Sequence, residues 1–172
     1  MKVKAVKIRL TDEGRPYLGE EETKITVDGR KKFDNGGKIF DLFQQMDLSH
    51  AGTEYLYMVM LDTACHLLCI SELAHGNVST CVFSNREIAM TALLAGAAHV
   101  ILAHNHPSGD ASPSDTDIVC TERIQKSLSF VGIDLSDHLV IGRAQGVAYY
   151  VSLLEDGYIR KEQKKYDRTA EK

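Results

Sequence analysis

The stretch HVILAHNHPSGDASPSDTD, residues 99–117, is where the fold and the chemistry of this chain meet. Its first six residues form an apolar run that reads as a buried strand, and the run stops where Pro107 and Gly109 force the backbone into a loop. Ser112-Pro113 then supplies an N-cap serine and a first-turn proline, so a helix is expected from Pro113 to about Phe130. A strand end that carries two histidines is a natural place for chemistry.

His104 and His106 stand two residues apart at that strand end, so their side chains leave the same face from Cα atoms about 6.6 Å apart. Two imidazoles can converge on one ion from there. Asp117 shares a helical face with Thr121, Ile124 and Leu128, whereas Asp115 shares its face with Glu122 and Lys126. Asp117 is therefore the carboxylate aimed at the body of the protein. Three protein ligands with a fourth position left to water is the catalytic form of tetrahedral zinc, whereas structural sites fill all four positions. Zn2+ is the expected ion.

Outward from this centre, IAMTALLAGAA reads as a helix, with Ser84 and Glu87 expected to form a capping box at its start. YLYMVMLD, HLLCISEL and STCVF precede it as strands of a largely antiparallel meander, and DHLVIG and VAYYVS follow as two more. The first 49 residues read as an accessory segment: a strand over residues 3–10, a second in KITVDG, then a short amphipathic helix in KIFDLFQQM. The core domain is expected over residues 50–155, and residues 156–172 read as a charged tail.

At 172 residues the chain fits one ordinary domain. Its net charge of −4 offers no basic footprint, so direct nucleic-acid binding is not expected. No apolar stretch approaches the roughly 20 residues that span a bilayer, and the early polar start lacks a secretory pattern, which points to the cytoplasm. Cys65, Cys69, Cys81 and Cys120 show no zinc-ribbon spacing and are read as reduced thiols.

HNHPSGDASPSDTD, preceded by REIAMTALLAGAAHVILA and followed by DHLVIG, resembles the RadC branch of the JAMM/MPN domain superfamily over roughly residues 50 to 152. The resemblance implies a cytidine-deaminase-like α-β-α sandwich with a mixed, largely antiparallel sheet. It implies zinc on His104, His106 and Asp117, and places the superfamily's oxyanion-donating serine on Ser114. Its catalytic glutamate falls on Glu54, eight residues before Asp62, and no other acidic residue fits that slot. The implied activity is hydrolysis of a peptide or isopeptide bond in a peptide or protein substrate through a metal-activated water.

Plainer readings stand beside these. Ser112 with Asp115, or Ser114 with Asp117, is also the pattern of a helix capping box. Glu54 is also a polar residue at a strand entrance. Asp137-His138 is either a pair orienting a ligand imidazole or a structural hydrogen-bonding pair. As a whole, the alternative to a hydrolase is a non-catalytic, zinc-stabilised binding module associated with DNA repair or DNA metabolism. Fuller RadC proteins carry a helix-hairpin-helix region, which the first 50 residues do not resemble. A zinc deaminase is excluded, since its His-x-Glu and Pro-Cys-x-x-Cys motifs are both missing.

Overall fold

The computed structural model describes residues 1–76 and 84–159. Along the chain run β1 (Lys2–Leu10), β2 (Pro16–Thr26), α1 (Gly36–Gln44), a 3-10 turn (Leu48–His50), β3 (Glu54–Leu61) and β4 (Leu67–Gly76). There follow α2 (Asn85–Leu94), β5 (His99–Asn105), α3 (Asp115–Ser129), β6 (Asp134–Ala144) and β7 (Val147–Ser152). The expected strand in STCVF, Cys81 and the end of the charged tail lie outside the described residues.

The described strands form one mixed sheet in the order β2-β1-β4-β3-β5-β6-β7. Pairing is antiparallel except between β1 and β4 and between β5 and β6. The second parallel pair is bridged by α3, because parallel neighbours need a crossover. Alternation along β3 shows why both faces of the sheet are covered. Leu56, Met58 and Met60 pack with Ile88 and Ala92 of α2 and Ile124 and Leu128 of α3. Tyr57, Val59 and Leu61 pack with Ile39, Leu42 and Phe43 of α1. Beyond Glu54 and Tyr55 the strand is buried along its whole length because it has a helix layer on each side, and the fold is the expected α/β sandwich.

Several local expectations are corrected. The second strand spans Pro16–Thr26 rather than KITVDG, and its Glu20, Glu21 and Glu22 pair across the hairpin with Lys4, Arg9 and Lys2. Cross-strand charge pairs, not apolar alternation, suit this exposed edge. Ser84 precedes α2 without a side-chain capping bond. Its first turn, residues 84–87, is exposed, so solvent can serve those N–H groups. Cys65 and Cys69 are free thiols, but Cys120 is disulfide-bonded.

Beyond β5 the chain folds back over β6. His106 N–H donates to the Ile141 carbonyl at 2.9 Å, and Arg143 N–H donates to the Gly109 carbonyl at 2.8 Å. A Cβ on Gly142 would sit 2.4 Å from the Gly109 oxygen, and Gly109 itself has φ +88°. Both glycines are therefore required for the loop to lie this close to the strand. Gly142→Ala is expected to lift the loop and cost about 1–3 kcal/mol, measured as a lowered urea midpoint.

Candidate metal centre

Glu54 opens β3 on the same face as Leu56, and Leu56 pairs directly with His104 of β5. His104 and His106 leave β5 and its continuation on that face too, the face covered by α3. The first turn of α3 brings Asp117 to them. His104 Nε2 lies 3.0 Å from His106 Nε2 and 3.4 Å from Asp117 Oδ1. His106 Nε2 lies 3.4 Å from Asp117 Oδ2, and Glu54 Oε1 lies 4.0 Å from His104 Nε2. One ligand atom from each of the four residues falls within 4.8 Å of all the others. The His104 side chain is 1% exposed while those of Glu54, His106 and Asp117 are 16%, 18% and 13% exposed, so the cluster opens to solvent on one side.

Local structure aims these groups. The helix begins at Asp115 with Ser114 as N-cap, not at Pro113 with Ser112. Pro113 sits one residue ahead of the cap, in the extended approach that proline also favours. Ser114 and Asp117 form a complete capping box: Asp117 Oδ2 accepts from the Ser114 N–H and hydroxyl, each at 2.7 Å, while Ser114 Oγ accepts from the Asp117 N–H at 3.2 Å. The cap and the cluster therefore share one carboxylate. Asp115, on the other face, is exposed. His106 is oriented by its Nδ1–H, which donates to the Asp110 carbonyl at 2.7 Å. A carbonyl can only accept, so a neutral His106 turns an unprotonated Nε2 towards the cluster.

The charges within the cluster perturb one another. Burial opposes ionisation of Asp117, but the hydrogen bonds it accepts from His106 and Ser114 outweigh that cost and hold the carboxyl far below the usual range. The His106 pKa is raised, first by Asp117, against the effect of burial and with help from the Asp110 carbonyl. Tetrahedral zinc with bonds of about 2.0–2.1 Å separates its ligand atoms by about 3.3 Å. The 3.0–3.4 Å spacings among His104, His106 and Asp117 fit that edge length.

Three further residues, Asn105, His138 and Thr121, support the cluster through contacts that local spacing does not signal. Asn105, 1% exposed, points to the opposite face from its histidine neighbours. Its Oδ1 accepts from the Tyr55 N–H at 2.9 Å and its Nδ2 donates to the Thr53 carbonyl at 3.0 Å, so it grips the backbone on both sides of Glu54. His138 is buried, its pKa pushed well down by burial, and its Nε2 meets His104 Nδ1 at 2.8 Å. Thr121 Oγ1 meets His138 Nδ1 at 2.6 Å. Asp137 does not touch the imidazoles; it accepts from the His138 N–H, Leu154 N–H and Ser152 hydroxyl. A β-bulge in β6 between the partners of Val100 and Ile101 turns Asp137 towards α1 and His138 towards α3. A cavity of about 570 Å3 opens at the other end of β5, beside His99 and Asp134, and includes none of the cluster.

Fold and cluster together define a mixed-sheet α/β domain with a candidate site for one metal ion. The chain belongs to the RadC-like JAB domain family, whose model matches residues 33–158. It is 40% identical to a UPF0758 protein of Clostridium acetobutylicum over 106 residues, 62% of this chain and 44% of that one. A UPF0758 protein of Saccharophagus degradans is 40% identical over 107 residues, 62% of this chain and 48% of its own. One from Methanococcoides burtonii is 34% identical over 135 residues, covering 78% of this chain and 57% of the relative. The chain thus spans about half the length of the curated relatives it matches.

Because protons compete with a metal ion for His106, metal affinity should fall on acidification, starting above the ordinary histidine value of 6.5. Asp117 stays ionised throughout that window. Chelator competition across neutral and mildly acid pH measures this; a flat profile would contradict it. Asn105→Ala should cost about 1–3 kcal/mol in urea unfolding, since it strands two backbone groups.

Proposed function

We propose that this chain is a zinc-dependent metallohydrolase of the JAMM/MPN type that cleaves peptide or isopeptide bonds in a peptide or protein substrate. The observation that carries the reading is the spacing of the cluster. His104, His106 and Asp117 lie at the edge length of a tetrahedral site, while Glu54, at 4.0 Å from the nearest imidazole nitrogen, stands slightly further out, as a base should. Bound by the first three residues, Zn2+ would acidify a water and polarise the scissile carbonyl.

Glu54 then acts on the water. Its carboxylate takes one proton as the water oxygen forms a bond to the carbonyl carbon, and the carbonyl π electrons move onto oxygen. Ser114, whose hydroxyl otherwise donates to Asp117, turns that hydrogen to the oxyanion, a contact worth about 3 to 4 kcal/mol of barrier in comparable sites. Collapse breaks the C–N bond, and Glu54 returns its proton to the leaving amine. Asn105 keeps the base in register through its two backbone bonds.

Metal analysis and hydrolysis of a peptide and isopeptide panel test the assignment. His104→Ala and Asp117→Ala should lose zinc. Glu54→Gln should retain it while turnover falls on the order of 10²–10⁴-fold. A wild type that holds zinc but whose slow hydrolysis is unchanged in Glu54→Gln would move the binding-module reading, with its link to DNA repair, ahead of catalysis.

A further inference from the structure

A threonine hydroxyl has one hydrogen to give. Thr121 Oγ1 lies 2.6 Å from two groups, the Asp117 main-chain carbonyl and His138 Nδ1. The carbonyl can only accept, and two oxygens at 2.6 Å without a hydrogen between them repel. The hydroxyl hydrogen therefore goes to the carbonyl, and His138 Nδ1–H donates to Thr121. His138 is 3% exposed and touches no carboxylate through its ring, so the neutral imidazole is the stable form. Its Nε2 is then an acceptor, and the 2.8 Å contact requires His104 Nδ1 to carry the hydrogen. His104 Nε2 is left with a lone pair facing His106 and Asp117.

We infer that Thr121 and His138 are positioning residues that lock His104 in its Nδ1–H tautomer, so that its Nε2 is ready to bind a metal ion before the ion arrives. The inference rests on the metal-site reading above. The chain starts at the backbone of one ligand, Asp117, and ends on another, His104, so the same turn of α3 that delivers the carboxylate also sets the proton on the imidazole. With Thr121 removed, His138 can turn its hydrogen to Nε2 and donate to His104. That moves the His104 proton onto Nε2, where it blocks the metal.

The test uses the full chain with Thr121→Val, which removes the hydroxyl at equal volume, and Thr121→Ser, which keeps it. Zinc affinity is read by chelator competition, site geometry by the Co2+ absorption spectrum, and ring protonation by long-range 1H–15N NMR of the histidines. His104 and His138 of the wild type should both appear as Nδ1–H tautomers without metal. Thr121→Val should lose about 10–100-fold in zinc affinity with an altered Co2+ spectrum, and Thr121→Ser should restore both. A wild-type His104 found as Nε2–H, or a Thr121→Val protein that binds zinc as tightly as wild type, overturns the inference. If the wild type takes up no zinc, the metal reading fails, and the ring spectra alone decide the tautomer chain.

Discussion

Side chains leave a strand alternately to its two faces, and at the end of β5 this rule divides three consecutive residues between two tasks. His104 and His106 go to the α3 face, where they meet Asp117; Asn105 goes to the other and grips the backbone that carries Glu54. The register is pinned on both sides, since Leu56 of β3 and Val140 of β6 each pair with His104. A slip of one residue would send both imidazoles to the α1 face and bring an amide into the cluster. The apolar residues before them, Val100 to Ala103, resist that slip because each is buried in one of the two cores.

Placement at the carboxyl end of β5 gives the site a second advantage. The chain leaves the strand, folds over β6 and enters α3, so the helix begins beside the strand end it has just left. Helix N-termini favour negative charge, and Asp117 sits in that first turn. Its carboxylate is thus stabilised by the helix that carries it as well as by the Ser114 cap and the His106 imidazole.

The parts of this design that were legible in the sequence are those governed by short-range periodicity. The apolar run of β5, the paired histidines and the inward face of α3 all follow from periods of 2 and 3.6. The catalytic roles of Glu54 and Ser114 follow only from the resemblance, because a strand-entrance glutamate and a capping serine look the same in sequence whether or not they act on a substrate. The charged β2 strand is not legible locally, because its glutamates are matched by cations on a neighbouring strand. The start of α3 is ambiguous in sequence because Ser112-Pro113 and Ser114-Asp117 are both sound helix openings, and the fold uses the second. Thr121, His138 and Asn105 act across intervals of 17, 34 and some 50 residues. Local spacing cannot reveal such contacts, and for His138 a bulge in β6 also decides which way it points.

The capping box at Ser114 makes one carboxylate serve both the opening of a helix and the candidate site. Fraying of the first turn of α3 would withdraw Asp117, so a bound ion and an intact turn stand in a single equilibrium. A ligand present at 100 times its dissociation constant adds about 2.7 kcal/mol to the cost of any opening that expels it. Amide hydrogens of that turn would then exchange with solvent more slowly as the ion's concentration rises. A short stretch of backbone becomes, in effect, a gauge of metal availability.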